Sequence, residues 1–231
     1  MQLSPWPNDL PAGIDAWRLD LNLESDPLQS WPDLTVDERA HASRFARCAD
    51  RVRFAATRAT VRRLLAQRLA CCPSQVPLGK GSHGKPFVDG DTLDSPLFNV
   101  AHSGSHAVIA IADTRRIGDL GVDIECCDGE ADIHAVLDIA FTPEECDAVH
   151  AASDPRAAFY LRWVGKEAVL KAVGTGLAQD LRSVCIRRTD DGALAVECRS
   201  GALRPMNAMA LAAPRGYAAA LAWRTKEHRD E

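Results

Sequence analysis

The chain has 231 residues, 46% of them hydrophobic and 26% charged, with 27 basic against 32 acidic side chains and a formal net charge of −5. That is the make-up of an ordinary globular protein of one large or two smaller domains, and its acidic balance argues against general nucleic-acid binding. No apolar run approaches the ~20 residues of a membrane span, Met1 to Pro7 lack the basic start and apolar core of a secretory signal, and the eight cysteines form no C-x-x-C. Reduced thiols in a cytoplasm are the simplest expectation, with neither a zinc site nor a disulfide framework.

In chain order, residues 14–22 roughly alternate and read as a first strand. Pro27 and Pro32 mark a loop. Helix, with or without a break, is expected over 35–69, with Phe54, Val61, Leu64 and Leu65 as its core face. Nine arginines and one acid, Asp50, lie between Arg39 and Arg68. Arg44, Arg47, Arg51, Arg58 and Arg62 form one stripe if that helix is continuous. Such a stripe is a local positive field suited to a phosphate-bearing ligand or an acidic partner; the plainer reading is a solvated helix face. Residues 73–90 are loop-rich, and Gly79, Gly81, Lys85 and Pro86 stand among them. Glycines let a backbone approach phosphate and Lys supplies a point charge, but the spacing is not that of a Walker loop. The polar cluster within 98–106 is expected at the mouth of a buried strand, 107–112.

Residues 113–118 read as a seam. A strand around 121–125 follows, then an acidic loop and a helical stretch. Thr142, Pro143 and Glu145 have the order of a capping box with proline in the first turn. Residues 184–187 and 193–198 flank Asp190-Asp191-Gly192, a hairpin signal, and 217–223 read as the last strand. No strong internal repeat is apparent.

Two stretches carry the chemistry. In Gly121-Val122-Asp123-Ile124-Glu125, a strand places both carboxylates on one face and both aliphatics on the other. Two carboxylates side by side repel unless a cation sits between them. The stretch 162–171 reads as a helix following Pro155 and ended by Gly174-Thr175-Gly176. Its Glu167 and Lys171 are four apart and share a face with Trp163. Glu167 would give a third carboxylate, completing an oxygen site for Mg²⁺. The plain alternatives are an edge strand with a polar outer face and a Glu–Lys pair on a solvated helix.

Gly84-Lys85-Pro86, Phe98-Asn99-Val100-Ala101-His102-Ser103, the Asp123-x-Glu125 strand and Trp163-x-x-Lys166-Glu167-Ala168-x-x-Lys171 occur in that order. Together they resemble the 4′-phosphopantetheinyl transferase superfamily, in its longer surfactin-type branch; the short branch would be about half this length. The resemblance implies an α+β fold: two similar halves related by pseudo-two-fold symmetry, residues 1–117 and 118–231, with coenzyme A in the cleft between them. The implied activity is transfer of 4′-phosphopantetheine from coenzyme A to a serine of an apo acyl or peptidyl carrier protein, releasing adenosine 3′,5′-bisphosphate. The resemblance puts Asp123, Glu125 and Glu167 on Mg²⁺, with Glu167 also as general base, directly or through water. Lys171 would contact phosphate in the transition state. Lys85, Pro86, Ala101 and His102, with Arg53, Arg58, Asp123 and Lys171, would bind coenzyme A. Two positions depart from the pattern: Ala101 replaces a common serine, and His41 stands where a basic residue is common. A cytoplasmic monomer is expected. Another Mg²⁺-dependent phosphoryl or nucleotidyl enzyme, and a non-catalytic module binding coenzyme A or carrier, stay open as alternatives.

Overall fold

The computed structural model of the chain describes residues 1–7, 9–81, 83–90, 95–128, 133–174, 181–189, 193–199 and 203–226. Thr175, Gly176 and the Asp190-Asp191-Gly192 turn lie outside the described residues. The order of elements is β1 (Gln2–Pro5), β2 (Ile14–Asp20), α1 (Val36–Ser43), α2 (Cys48–Leu69), β3 (Leu78–Lys80), β4 (Pro86–Val88), β5 (Leu97–Ser103) and β6 (His106–Ala112). Then come β7 (Ile117–Cys126), α3 (Ile133–Ala140), α4 (Pro143–His150), α5 (Pro155–Val173), β8 (Val184–Arg188), β9 (Leu194–Cys198), β10 (Asn207–Leu211) and β11 (Tyr217–Thr225). Among the described residues no helix is long and apolar enough to cross a membrane.

The strands form two larger antiparallel sheets, ordered β1-β2-β6-β5 and β7-β11-β10-β9-β8, with β3 and β4 as a separate hairpin. In each sheet a strand that precedes the helices pairs with the strand that ends the series: β2 with β6, and β7 with β11. Between them each series has the same parts: short helical segments, one long helix, a hairpin and one further strand, β5 or β10. The fold is α+β, built from two similar halves, and this repeat of order and pairing is what a pseudo-two-fold relation requires.

A charge pair, half-buried in the first half and buried in the second, is repeated with the topology. Thr35 caps α1 in a capping box with Glu38, whose carboxylate also takes the Arg62 guanidinium in a bidentate contact at 2.7 and 3.0 Å. Arg62, on the long helix α2, further donates to the carbonyls of Pro73 and Val76. Thr142 caps α4 in a capping box with Glu145, which pairs with Lys166 of the long helix α5 at 2.7 Å. Lys166 further donates to the carbonyls of Leu181 and Val184. One device thus ties cap, long helix and following segment in both halves. The T-x-x-E cap at Thr35 and again at Thr142 is its trace in the sequence.

Helix is broken between Ser43 and Cys48, and Arg44 and Arg47 fall outside both helices. The continuous arginine stripe therefore does not form. Most of these arginines are engaged within the fold: Arg58 and Arg62 on Glu38, Arg63 on Asp33, Arg68 on Asp15, and Arg51 on the Phe45 carbonyl. Val61, Leu64 and Leu65 do face the core, against Phe98, Ile109 and Ile111. Phe54 instead packs on His41 and Phe45 beside the helix break.

The sheets meet through an apolar layer that includes Ile14, Ala101, Val108 and Ala110 from one and Val122, Ile124 and Leu221 from the other. Where the edge strands β5 and β7 approach, side chains replace a ladder. Asn99 Oδ1 accepts the Val122 N–H at 2.9 Å, and Ser103 Oγ accepts the Cys126 N–H at 3.1 Å. On its other side β7 is covered by α5. A β-carbon at Gly121 would lie 2.0 Å from the Ala168 carbonyl oxygen and 2.4 Å from the Ala172 nitrogen, so only glycine permits this approach. Asp154 caps the start of α5, and Gly174, at φ 82°, ends it in the left-handed conformation that glycine adopts without strain.

Lys166 and Glu145 are almost wholly buried, 0% and 1% exposed. Glu145→Gln keeps the size, but its single amide oxygen cannot replace both carboxylate oxygens, which accept the Thr142 and Ile186 N–H groups, and it leaves the Lys166 ammonium without a counter-charge. Breaking one side of a buried pair costs about 3–5 kcal/mol. Urea unfolding of this variant is expected to lose that much stability; a loss below about 1 kcal/mol would show that the pair is not held as described.

Candidate active site

The site grows from β7 and α5. Alternation along β7 sends Val122 and Ile124 into the layer between the sheets and Asp123 towards α5. Asp123 is 2% exposed. Lys171 Nζ donates to its Oδ1 at 2.6 Å, so Lys171 pairs across to the strand, and the solvated Glu–Lys helix pair is not what forms. Asp123 Oδ2 and Glu167 Oε1 are both buried without a hydrogen-bond partner among the described residues. Burial pushes the Asp123 carboxyl up to about 7; Lys171 opposes this, and the negative charges of Glu125 and Glu167 add to it. Burial also pushes Glu167 up, with Lys171 opposing and Glu125 adding. Glu125 accepts a hydrogen bond from Ser103 Oγ at 2.9 Å and so is held from the other half.

On that other half, His102 is exposed, yet its imidazole is partly desolvated. Desolvation holds its imidazole below the usual value, and the cations Arg53 and Lys171 push the same way. Lys171 lies on α5, so this repulsion reaches His102 from the second half. Arg53 donates to the Gly104 carbonyl and to Asp50. The structure thus gathers Asp123, Glu125, Glu167 and Lys171, with His102 and Arg53 within their field.

Other expected residues are differently placed. The Lys85 ammonium donates to the carbonyls of Leu120, at 3.0 Å, and Ala172, at 2.7 Å, fastening the end of α5 to β7. Burial lowers its pKa to about 8, with Asp119 opposing. These carbonyls take two of the three N–H bonds of the ammonium. With Pro86, Lys85 lines a cavity of about 260 Å³ that also involves His83, Phe87 and Gly174. Arg58 is held by Glu38 and lies over the Phe54 ring. The Ala101 methyl points into the layer between the sheets, so only its backbone could meet a ligand. His41 packs edge-on against Phe45 and Phe54. Ser103 was the residue missing from the sequence expectation. It lies two along β5 from Ala101, so strand alternation alone puts it on the face that meets β7.

Among the described residues no three His, Cys, Asp or Glu side chains converge into a ready-made metal cage. The unpartnered Asp123 and Glu167 oxygens nevertheless fit a hard divalent cation. Mg²⁺ typically takes one or two carboxylates and leaves its other positions to water and substrate phosphates.

Residues 119–222 match the family model described as the 4′-phosphopantetheinyl transferase superfamily, and residues 26–114 match that of a 4′-phosphopantetheinyl transferase N-terminal region. The 4′-phosphopantetheinyl transferase HetI of Nostoc sp. is 34% identical over 72% of this chain and 70% of its own length. A relative from Synechocystis sp. is 33% identical over 65% of this chain; the match covers 61% of that relative, less than two thirds. Among solved structures, a holo-(acyl-carrier-protein) synthase from Bacillus anthracis in complex with CoA aligns with 48% of this chain and 99% of its own, at TM-score 0.43 and 19% identity.

A carboxyl whose pKa is raised on folding takes up protons in the folded state. Its contribution to stability is complete below its unfolded value near 4 and is lost as pH rises through about 7. Without divalent cations, the melting temperature of the native sequence should fall between pH 5 and pH 8 relative to Asp123→Asn. Added Mg²⁺ should restore it at pH 8 in the native sequence only. Parallel pH profiles for the two proteins would contradict the placement of Asp123.

Proposed function

The chain belongs to the 4′-phosphopantetheinyl transferase superfamily, and from that premise we propose which side chains carry the transfer of 4′-phosphopantetheine from coenzyme A to a serine of an apo carrier protein. One observation supports the assignment above the rest: two buried carboxylate oxygens, Asp123 Oδ2 and Glu167 Oε1, stand unpartnered, while the Lys171 ammonium binds the other Asp123 oxygen and acts on both carboxyls. A phosphate ester bound with Mg²⁺ is the chemistry such a group answers.

In this reading Asp123 and Glu167, with Glu125 turned in from Ser103, hold Mg²⁺. The ion, when bound, neutralises charge building on the leaving phosphate. Glu167, its carboxyl already pushed up by burial, accepts the proton of the carrier serine. The serine oxygen forms a bond to the phosphorus that bears pantetheine. The bond from that phosphorus to the bridging oxygen breaks, and adenosine 3′,5′-bisphosphate leaves. Lys171, aimed by its 2.6 Å contact with Asp123, offsets charge on the phosphoryl oxygens. His102 and Arg53 bind coenzyme A from the first half. Pro86 and the cavity beside it supply shape, and Lys85 acts by fixing the end of α5 rather than by direct contact. Residues 1–117 and 118–231 are the two halves, and one chain supplies both sides of the cleft, which supports a monomer. The eight cysteines are free thiols, which supports a cytoplasmic enzyme.

Intact-protein mass spectrometry of apo carriers incubated with coenzyme A and Mg²⁺ tests the reading; no phosphopantetheine adduct on any carrier would overturn it. Glu167→Gln is expected to cut the maximal rate by about 10²–10⁴-fold, the range of general-base catalysis. Lys171→Ala is expected to lower kcat more than it raises KM for coenzyme A, because its contact strengthens as the phosphoryl bond breaks. Near-native rates in both variants would remove the catalytic assignment.

A further inference from the structure

We propose that Tyr217 is a positioning residue that fixes the register between the two halves at the active site. Tyr217 opens β11 and pairs with Cys126 of β7, directly after Glu125. Its side chain crosses into the first half, where its hydroxyl accepts the Ser105 N–H at 3.1 Å and lies 3.4 Å from Ser105 Oγ. Its ring stands edge-on to His106, with centroids 4.6 Å apart. The fit leaves no space. A β-carbon at Gly104 would lie 2.2 Å from the Tyr217 hydroxyl oxygen, and Gly104 has φ 52°, in the left-handed region.

The turn that receives Tyr217 joins β5 to β6, and its flanks carry the site. His102 and Ser103 precede it, and Ser103 binds both the Glu125 carboxylate and the Cys126 N–H. From within the first half, Arg53 donates to the Gly104 carbonyl and His106 pairs with Asp20. The turn is therefore fastened on its own side by Arg53 and His106, and across the cleft by Ser103 and Tyr217. Ser103 and Tyr217 act on neighbouring points of one turn and one strand end. Loss of either lets the other's contact drift, and with it the direction of Glu125 and the position of His102.

The inference rests on the transferase reading, so the unsubstituted protein is assayed alongside. Absence of phosphopantetheine transfer there would count against that reading and not against the placement of Tyr217. Tyr217→Phe removes one oxygen and keeps the ring. A hydrogen bond of ordinary net strength corresponds to about a two- to tenfold effect. Tyr217→Phe is expected to lower kcat/KM for coenzyme A by about that factor, with kcat falling and KM rising together, as hinge substitutions do. Ser103→Ala should do the same. The double variant should lose clearly less than the product of the two single losses, because both contacts hold the same turn. A purely structural role predicts a lower melting temperature with kcat and KM unchanged. That result, or single effects that multiply independently, would overturn the proposal.

Discussion

The approach of α5 to β7 is the constraint on which the rest depends. With no side chain at Gly121, the helix backbone lies against the strand, and Ala168 and Ala172 occupy the space a β-carbon would need. At that separation Lys171 reaches Asp123 directly, and Glu167, one turn earlier, keeps a buried carboxylate oxygen without a partner. Lys85 then secures the end of the helix through two carbonyls, favoured by the negative end of the helix dipole. The arrangement places negative charge where water is excluded. Lys171 compensates one carboxylate oxygen and leaves two others without a partner. Such a site is unfavourable when empty of cations and favourable towards a metal–phosphate ligand, and that difference in free energy is available for binding.

The internal repeat sets the two halves apart at the proposed site. Both long helices bury a cation against the glutamate of a capping box, Arg62 on Glu38 and Lys166 on Glu145. Aligning the halves on this pair sets Glu167 opposite Arg63 and Lys171 opposite Gln67. Arg63 is engaged with Asp33, so the first half offers no carboxylate at the corresponding position. The shared device stabilises each half, and the residues beside it differ in kind. The first half contributes instead Ser103 of β5, which binds Glu125, and the exposed His102 beside it.

Much of this was legible in the sequence wherever the signal is local. The alternation over 121–125, the Thr142 cap and the Gly174 end of α5 each depend on residues a few positions apart, and each has the form expected. What could not be read depends on partners distant in the chain. Residues 98–103 look like a polar cluster, yet they form β5, because Asn99 and Ser103 face β7 and bond its N–H groups. The short strands β1, β3 and β4, of three or four residues, have too few for a period to appear. Lys85 beside glycines suggests phosphate, but its ammonium is drawn to carbonyls of β7 and α5 that adjoin it only in the fold. The arginine stripe failed for a similar reason. A break of four residues separates the helices, and acids at positions 15, 33 and 38 take up Arg68, Arg63, Arg58 and Arg62.

The most direct test of the central claim is anomalous scattering from crystals grown with coenzyme A and Mn²⁺ in place of Mg²⁺. A manganese peak within bonding distance of both Asp123 and Glu167, against the pyrophosphate of coenzyme A and beside Lys171, is the predicted result. A peak elsewhere, or coenzyme A bound away from the contact of β7 with α5, would contradict it.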